Sequence, residues 1–477
     1  MRIVLVFLTV LSLALLASCR PKHSSLSQKP NYLFIMVDDL NDWVGCMEGH
    51  PQVKTPNIDR LASNGLLFLN AHAQTAICNP SRTSIMTGLY PRSTGIYFNA
   101  GNIEDSPVAS KAELMTRRFE REGYEVLGAG KLYNNQDQKY MENYADGFGR
   151  FGPFPDEKLS SYEGHPLWDW GVYPEEDSIT PDYKVANWAI EKLGSEIKEP
   201  FFLGVGFFRP HVPMYAPKEW FDLYPVDSII LPEIRNNDLE DISEYAINVT
   251  SLEHIEPPHD WILKNSQWKP LVQSYLASVS FVDHQIGTVL EALENSSYAE
   301  NTIIVLLSDH GFHLGEKRIW AKQTLWEEST RVPLIFSGKN IPKGAVCNRP
   351  VQLLDIYPTL LELSELKISD QLAGHSLKPL IADPHSEWPH ISMTSFGPGN
   401  YAIRSDNYRY IKYLDGSEEF YDHINDQNEW NNLIDTPEMA EQIKWHRKFL
   451  PNQAYPILGS GSTGHKAYQS AKELLSR

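Results

Sequence analysis

The 477-residue sequence predicts an α/β fold, a mostly parallel sheet flanked by helices and joined to a smaller C-terminal antiparallel sheet subdomain. Short apolar runs such as Phe201–Phe208 (FFLGVGFF) and Thr302–Leu307 (TIIVLL) have the pattern of strands buried on both faces. Amphipathic helical stretches separate these runs, and strand–helix alternation gives a parallel sheet covered on both sides. After about Pro384 short strand-like segments follow one another around turns such as Asp415-Gly416, which predicts the smaller sheet.

The chain begins MRIVLVFLTVLSLALLASC. Arg2 precedes an apolar run, Ile3 to Ala17, that is short for a membrane span and suits a secretory signal. It ends Leu16-Ala17-Ser18-Cys19, which resembles a bacterial lipobox, cut before the cysteine and acylated on it. Residues 1–18 are therefore read as a lipoprotein signal peptide and 19–30, polar with Ser and Pro, as a lipidated tether. This implies an exported protein, anchored to a bacterial membrane through Cys19. No acidic cluster follows Cys19, so the reading places it facing the periplasm.

Residues 31–384 form the expected main domain. Tyr32–Val37 is its first strand. Thr55-Pro56 caps and opens a helix over Asn57–Asn64, which Gly65 stops. Glu125–Ala129 is a weaker strand, Phe201–Phe208 and Thr302–Leu307 are clear ones, and Val332–Phe336 is another. Pro270–Leu293 and Leu353–Leu363 read as helices. In the C-terminal subdomain, 385–477, strands are expected at Tyr401–Ser405, Tyr408–Leu414 and Glu419–Asp422, with helix after Thr436.

Hydrophobic residues at 42% and charged ones at 22% allow a large core. The net charge of −19 argues against non-specific nucleic-acid binding, though it leaves room for a locally cationic pocket. Beyond Cys19 only Cys46, Cys78 and Cys347 remain. An exported protein could pair two of them, and their spacing gives no metal-finger pattern.

In open α/β sheets, sites lie beyond the carboxyl ends of the strands. Four strands here deliver polar groups at that edge: Asp38-Asp39, Gly130-Lys131, Arg209-Pro210-His211 and Asp309-His310. Adjacent carboxylates are expensive unless a cation neutralises them. With Asp309 and His310 they make an oxygen-rich site that suits calcium or magnesium, although an imidazole also admits zinc or manganese. Cys78 precedes Pro80, a residue favoured at helix starts, and Arg82 lies one turn on. A cysteine there could be activated as a thiolate or serve as a modification site, and Arg82 could hold an oxyanion by a bidentate contact.

Cys78-x-Pro80-Ser81-Arg82 followed by Thr87-Gly88 resembles the signature of the formylglycine-dependent sulfatases, a match that extends from about Asn31 to Leu433. Phe208-Arg209-Pro210-His211-Val212-Pro213 and Trp320-Ala321-Lys322 are similar to the iduronate-2-sulfatase-like branch. The resemblance implies an alkaline-phosphatase-like fold and hydrolysis of sulfate esters on algal polysaccharides or glycosaminoglycan fragments. It implies that a maturase oxidises Cys78 to formylglycine, and that Asp38, Asp39, Cys78, Asp309 and His310 surround a divalent metal, calcium before magnesium. It further implies that Arg82, Lys131 and Lys322 neutralise the sulfate, that an Asp such as Asp309 assists attack, and that His211, with Lys322, protonates the leaving oxygen. The alternatives are a phosphatase or phosphodiesterase of the related superfamily, or a glycan-binding lipoprotein with impaired turnover. The last rests on one departure: the family's His after Gly-Lys is replaced by Asn134, so Lys131 or His313 would have to act as base.

Overall fold

Asn31–Asp38 (β1) reads NYLFIMVD, and all eight residues are buried. A strand apolar on both faces belongs in the middle of a covered sheet. The computed structural model, which describes residues 29–134, 137–252 and 256–475, places it there. The proposed signal peptide and Cys19 lie outside those residues.

The remaining strands of the main sheet are β2 (Gly65–His72), β3 (Glu125–Gly130), β4 (Asn143–Tyr144), β6 (Phe201–Pro210), β8 (Thr302–Ser308), β9 (Arg331–Gly338), β10 (Ala345–Cys347) and β11 (Val351–Gln352). Between them, β5 (Trp170–Val172) and β7 (Met214–Ala216) form a separate two-stranded pair. The main order is β10-β2-β9-β8-β1-β6-β3-β4, with β11 also on β2. β1 runs parallel to both β6 and β8, whereas β9 is antiparallel to β2 and β8. Leu33, Ile35 and Val37 face one core, with Val185 of α3 (Pro181–Leu193) and Leu271 and Leu276 of α4 (Trp268–Glu294). Tyr32, Phe34 and Met36 face the other, with Leu360 of α5 (Ile356–Leu363).

Two smaller helices complete the frame near the site, α1 (Pro56–Ser63) and α2 (Cys78–Thr87). Thr55 precedes α1 as expected, but its side chain makes no cap; its hydroxyl instead donates to Asp59 Oδ1 at 3.1 Å. Gly65, expected only as a helix stop, also opens β2, where a Cβ would meet the Phe336 carbonyl at 2.2 Å. The second sheet, β12 (Ser392–Ser395), β13 (Tyr401–Arg404), β14 (Tyr408–Lys412) and β15 (Glu418–Asp422), is antiparallel in chain order. Its first strand, SMTS, carries too little apolar pattern to be read from sequence. Cys46, Cys78 and Cys347 are all free thiols, so the possible disulfide is not formed.

The register fixes the site. Val37 pairs with Ser308, which puts Asp38 and Asp309 side by side past the sheet edge. Gly130 pairs with Gly206 and has φ +72°; a Cβ would lie 1.9 Å from the Gly206 carbonyl. Only glycine allows β3 to turn there, and the turn lets the Lys131 amide donate to that carbonyl at 2.9 Å.

Candidate active site

Three carboxylates and three cations meet at this edge. Asp38, Asp39 and Asp309 have no solvent exposure, and neither has Arg82. Arg82 projects from the second turn of α2 and holds the group together. Its Nε donates to Asp309 Oδ2 at 2.7 Å, one Nη to Asp38 Oδ1 at 3.1 Å, and the other to the Lys131 carbonyl. All three of these bonds turn inward, to the two carboxylates and the Lys131 carbonyl. Lys131 Nζ donates to Asp38 Oδ2 at 2.6 Å. Lys322, from the long loop after β8, grips both oxygens of Asp39 at 2.7 and 2.6 Å.

Asp39 itself has φ +62°, uncommon for a residue with a Cβ. Its amide donates to Asp309 Oδ1 at 3.2 Å, and Tyr275 donates its hydroxyl proton to its carbonyl at 2.9 Å. Asp309 Oδ1 also accepts the His310 amide at 3.1 Å.

Both histidines present Nε2 inward. His310 Nδ1 donates to the Gly311 carbonyl at 3.0 Å, leaving the Nε2 lone pair 3.5 Å from Asp39 Oδ1 and 3.7 Å from Asp309 Oδ2. His211 Nδ1 donates to the Val212 carbonyl, with Nε2 3.9 Å from Asp39 Oδ2. A backbone acceptor that fixes the tautomer is a common support for a metal-ligating imidazole. Donor atoms of Asp38, Cys78, Asp309 and His310 lie within 4.8 Å of one another, and so do those of Asp38, Asp39, Cys78 and His211. The donor set, rich in buried carboxylate oxygen, fits a divalent cation.

Electrostatics follow the pairing. Burial would raise Asp38, but Lys131, His211 and Arg82 hold its carboxyl well below the usual range. Burial pushes Asp39 up to about 7, with Lys322 and His310 opposing the rise. Burial would lower Lys131 and Lys322, yet Asp38 and Asp39 respectively keep both above the ordinary lysine value. Burial and then Lys322 hold His211 well below its ordinary value.

Cys78 occupies the first position of α2, two residues earlier than the proline suggested. Its thiol is 3% exposed and donates toward His310 Nε2 at 3.3 Å. Burial raises its pKa, and Lys131 and Lys322 offset only part of the rise, so it is not held as a thiolate. Of the two possible chemistries for this cysteine, the site suits modification.

Neither replacement expected for the missing His is suited to be a base. Lys131 is kept protonated by Asp38. His313 bonds Thr324 Oγ1 at 3.0 Å, and burial drives its pKa down to about 3. It lines a different cavity, with Glu316, Glu327 and Glu429. Asn134 is half-buried beside Asn79, Arg82 and Thr83. His72 is buried and bonded to Asn70. One wall residue escaped sequence reading: Phe151 stacks on His211 at 4.5 Å and lies 5.1 Å from Lys131 Nζ. Phe151-Gly152-Pro153 looks like an ordinary loop, so no signal marked it.

With this geometry in place, comparison with known proteins is specific. The sulfatase family model matches residues 30–366, and a model described as N-sulphoglucosamine sulphohydrolase, C-terminal, matches 315–454. A sulfatase of Formosa agariphila is 41% identical over 456 residues, 91% of this chain and 89% of that protein. Iduronate 2-sulfatase of Mus musculus is 36% identical over 72% of this chain and 70% of its own length. In fold, a solved structure in complex with its substrate D-glucosamine-2-N,6-O-disulfate superposes with TM-score 0.70, covering 89% of this chain and 97% of that one at 22% identity.

Arg82 is the counter-charge that Asp38 and Asp309 share. Arg82→Met keeps the bulk and leaves both carboxylates without it, so the chain loses about 3–5 kcal/mol of stability. Urea unfolding with a chelator present measures this, and an unchanged midpoint would refute the role.

Proposed function

This chain belongs to the sulfatase family, with an iduronate-2-sulfatase-like relationship, and is a sulfuric ester hydrolase acting on sulfated carbohydrates; we propose that Cys78, matured to formylglycine, is the centre of its chemistry. The observation that carries the reading is a cysteine buried at a helix start, within 4.8 Å of the carboxylates and imidazoles that could hold a metal. The substrate class proposed is an oligo- or polysaccharide with sulfated sugars, from algal polymers or glycosaminoglycans.

Asp38, Asp39, Asp309 and His310 would hold the divalent metal, calcium first and magnesium second, given three carboxylates against one imidazole. When bound, the metal draws charge from sulfate oxygens, and the formylglycine hydrate supplies the attacking hydroxyl. The chain's residues do the rest. Lys131 and Lys322 bring mobile positive charge to the sulfate, exchanging an aspartate oxygen for a sulfate oxygen. Arg82 acts from behind, fixing Asp38 and Asp309. Asp309, held by Arg82 and two backbone amides, is assigned as a ligand and not as the base that assists attack. His211 and Lys322 face the leaving oxygen from the Asp39 side, and Lys322 carries the proton, because burial holds His211 neutral. Overall water is consumed, the sulfur–oxygen ester bond breaks, the sugar oxygen takes a proton, and sulfate leaves.

A maturase would reach Cys78 only before folding, since the thiol is 3% exposed. When the chain is co-expressed with a formylglycine-generating enzyme, peptide mass spectrometry of the Cys78 segment shows thiol-to-aldehyde conversion. Cys78→Ala then loses about 10³-fold or more of kcat/KM on an aryl sulfate. A fully active Cys78→Ala would sink the mechanism.

We also propose that the mature chain is tethered through lipidated Cys19 and faces the periplasm, on the strength of Leu16-Ala17-Ser18-Cys19. One acyl chain binds weakly, whereas two or more hold firmly. Wild type therefore fractionates with membranes and Cys19→Ser does not; membrane-bound Cys19→Ser would contradict the anchor.

A further inference from the structure

Lys322 reaches the site from a loop, not from a strand. After β8 the chain runs from Asp309 to Trp326 with a single short 3-10 helix, Glu316–Arg318, before α-helix and strand resume. Lys317, Arg318 and Gln323 in this loop have φ of +50°, +62° and +76°. Residues with a Cβ avoid that region, and they keep such conformations only where their surroundings over-determine them. The ammonium of Lys322 bonds only Asp39 among the described residues, so its reach depends on how the loop is held.

The holding comes from the C-terminal unit, and it converges on one residue. Lys317 Nζ donates to the Glu429 carbonyl at 2.6 Å and to Asp238 Oδ1 at 2.9 Å. The Glu327 amide donates to Glu429 Oε2 at 2.9 Å. Lys317 and Glu327 stand at equal distances in sequence before and after Lys322. Glu429 thus ties both flanks of the loop, one with its backbone and one with its side chain. Glu429 is 2% exposed and has φ +56°. Its Oε1 faces Arg409 Nε at 2.5 Å and accepts from His423 Nε2 at 2.9 Å. Arg409 in turn donates to the Leu325 carbonyl at 3.0 Å, and Trp326 Nε1 donates to Glu419 Oε2 at 2.8 Å. Glu327, His423 and Glu429 could by themselves pass for a metal site. Arg404 and Arg409 already pair with Glu327, however, and supply the positive charge.

We propose that Glu429 is a positioning residue for Lys322: by anchoring Lys317 and Glu327 together it sets the reach of the Lys322 ammonium toward Asp39 and the sulfate. The C-terminal unit then belongs to the catalytic apparatus although its Glu429 touches no substrate. The proposal rests on the role given to Lys322 above.

A double-mutant cycle on the matured, full-length enzyme with an aryl sulfate tests it. Glu429→Ala lowers kcat/KM about 10- to 100-fold, the scale of a small misplacement of a reacting group. Lys322→Ala also lowers it, and the double variant is no worse than Lys322→Ala alone to within about twofold, because both changes remove one interaction. Glu429→Gln restores the side-chain acceptor for the Glu327 amide that Glu429→Ala lacks, and recovers most of the loss. Effects that multiply in the double variant, or an unimpaired Glu429→Ala, would overturn the proposal. A fully active Lys322→Ala would overturn the role of Lys322 itself and this proposal with it, a result distinct from multiplying effects. If Glu429→Ala does not fold, Lys317→Met takes its place in the cycle with the same outcomes.

Discussion

Buried negative charge at the carboxyl edge of β1 is the constraint on which the site depends. Asp38, Asp39 and Asp309 are brought together by the parallel register of β1 and β8, without solvent to screen them. Three carboxylates in such a place are stable only with counter-charges of good geometry. Arg82 meets that need for two of them and thereby places the start of α2, with Cys78 on it, against the sheet edge. Gly130, through its close approach to Gly206, adds Lys131 from the far side. The position of Cys78, the candidate metal ligands and the inward-pointing Lys131 and Lys322 are consequences of one charge-balance problem.

Much of this was legible in the sequence because the chemistry follows strand ends. Apolar runs that stop abruptly at Asp38-Asp39, Lys131, His211 and Asp309-His310 announced both the sheet and the residues beyond it. The matching family models and relatives agree with the α/β fold these runs predicted and with the sulfatase activity that the resemblance around Cys78 implied. What stayed hidden has physical reasons. β12 and the two-residue strands are too short for a periodic signal. The inward use of Arg82 depends on partners far away in sequence, which spacing cannot reveal. His313 sits three residues beyond His310, yet the backbone turns it into another cavity. Phe151 is a wall only because its loop folds back over His211.

The C-terminal sheet has a weaker sequence signature than the main domain, but its contacts with the Lys322 loop are dense, buried and charged. A polar latch of this kind depends on geometry more than an apolar seam does, since each partner left without its counterpart carries a desolvation penalty. It suits a task in which an ammonium on a loop must be aimed.

The central claim is that the carboxylates at the β1 edge form a single cation site beside residue 78. Anomalous diffraction from crystals of the matured enzyme grown with calcium tests it most directly. The account predicts one ion about 2.3–2.6 Å from oxygens of Asp38, Asp39 and Asp309, with His310 completing the shell and formylglycine next to it. A map with no ion there, or with the ion at Glu327, His423 and Glu429 instead, would contradict it.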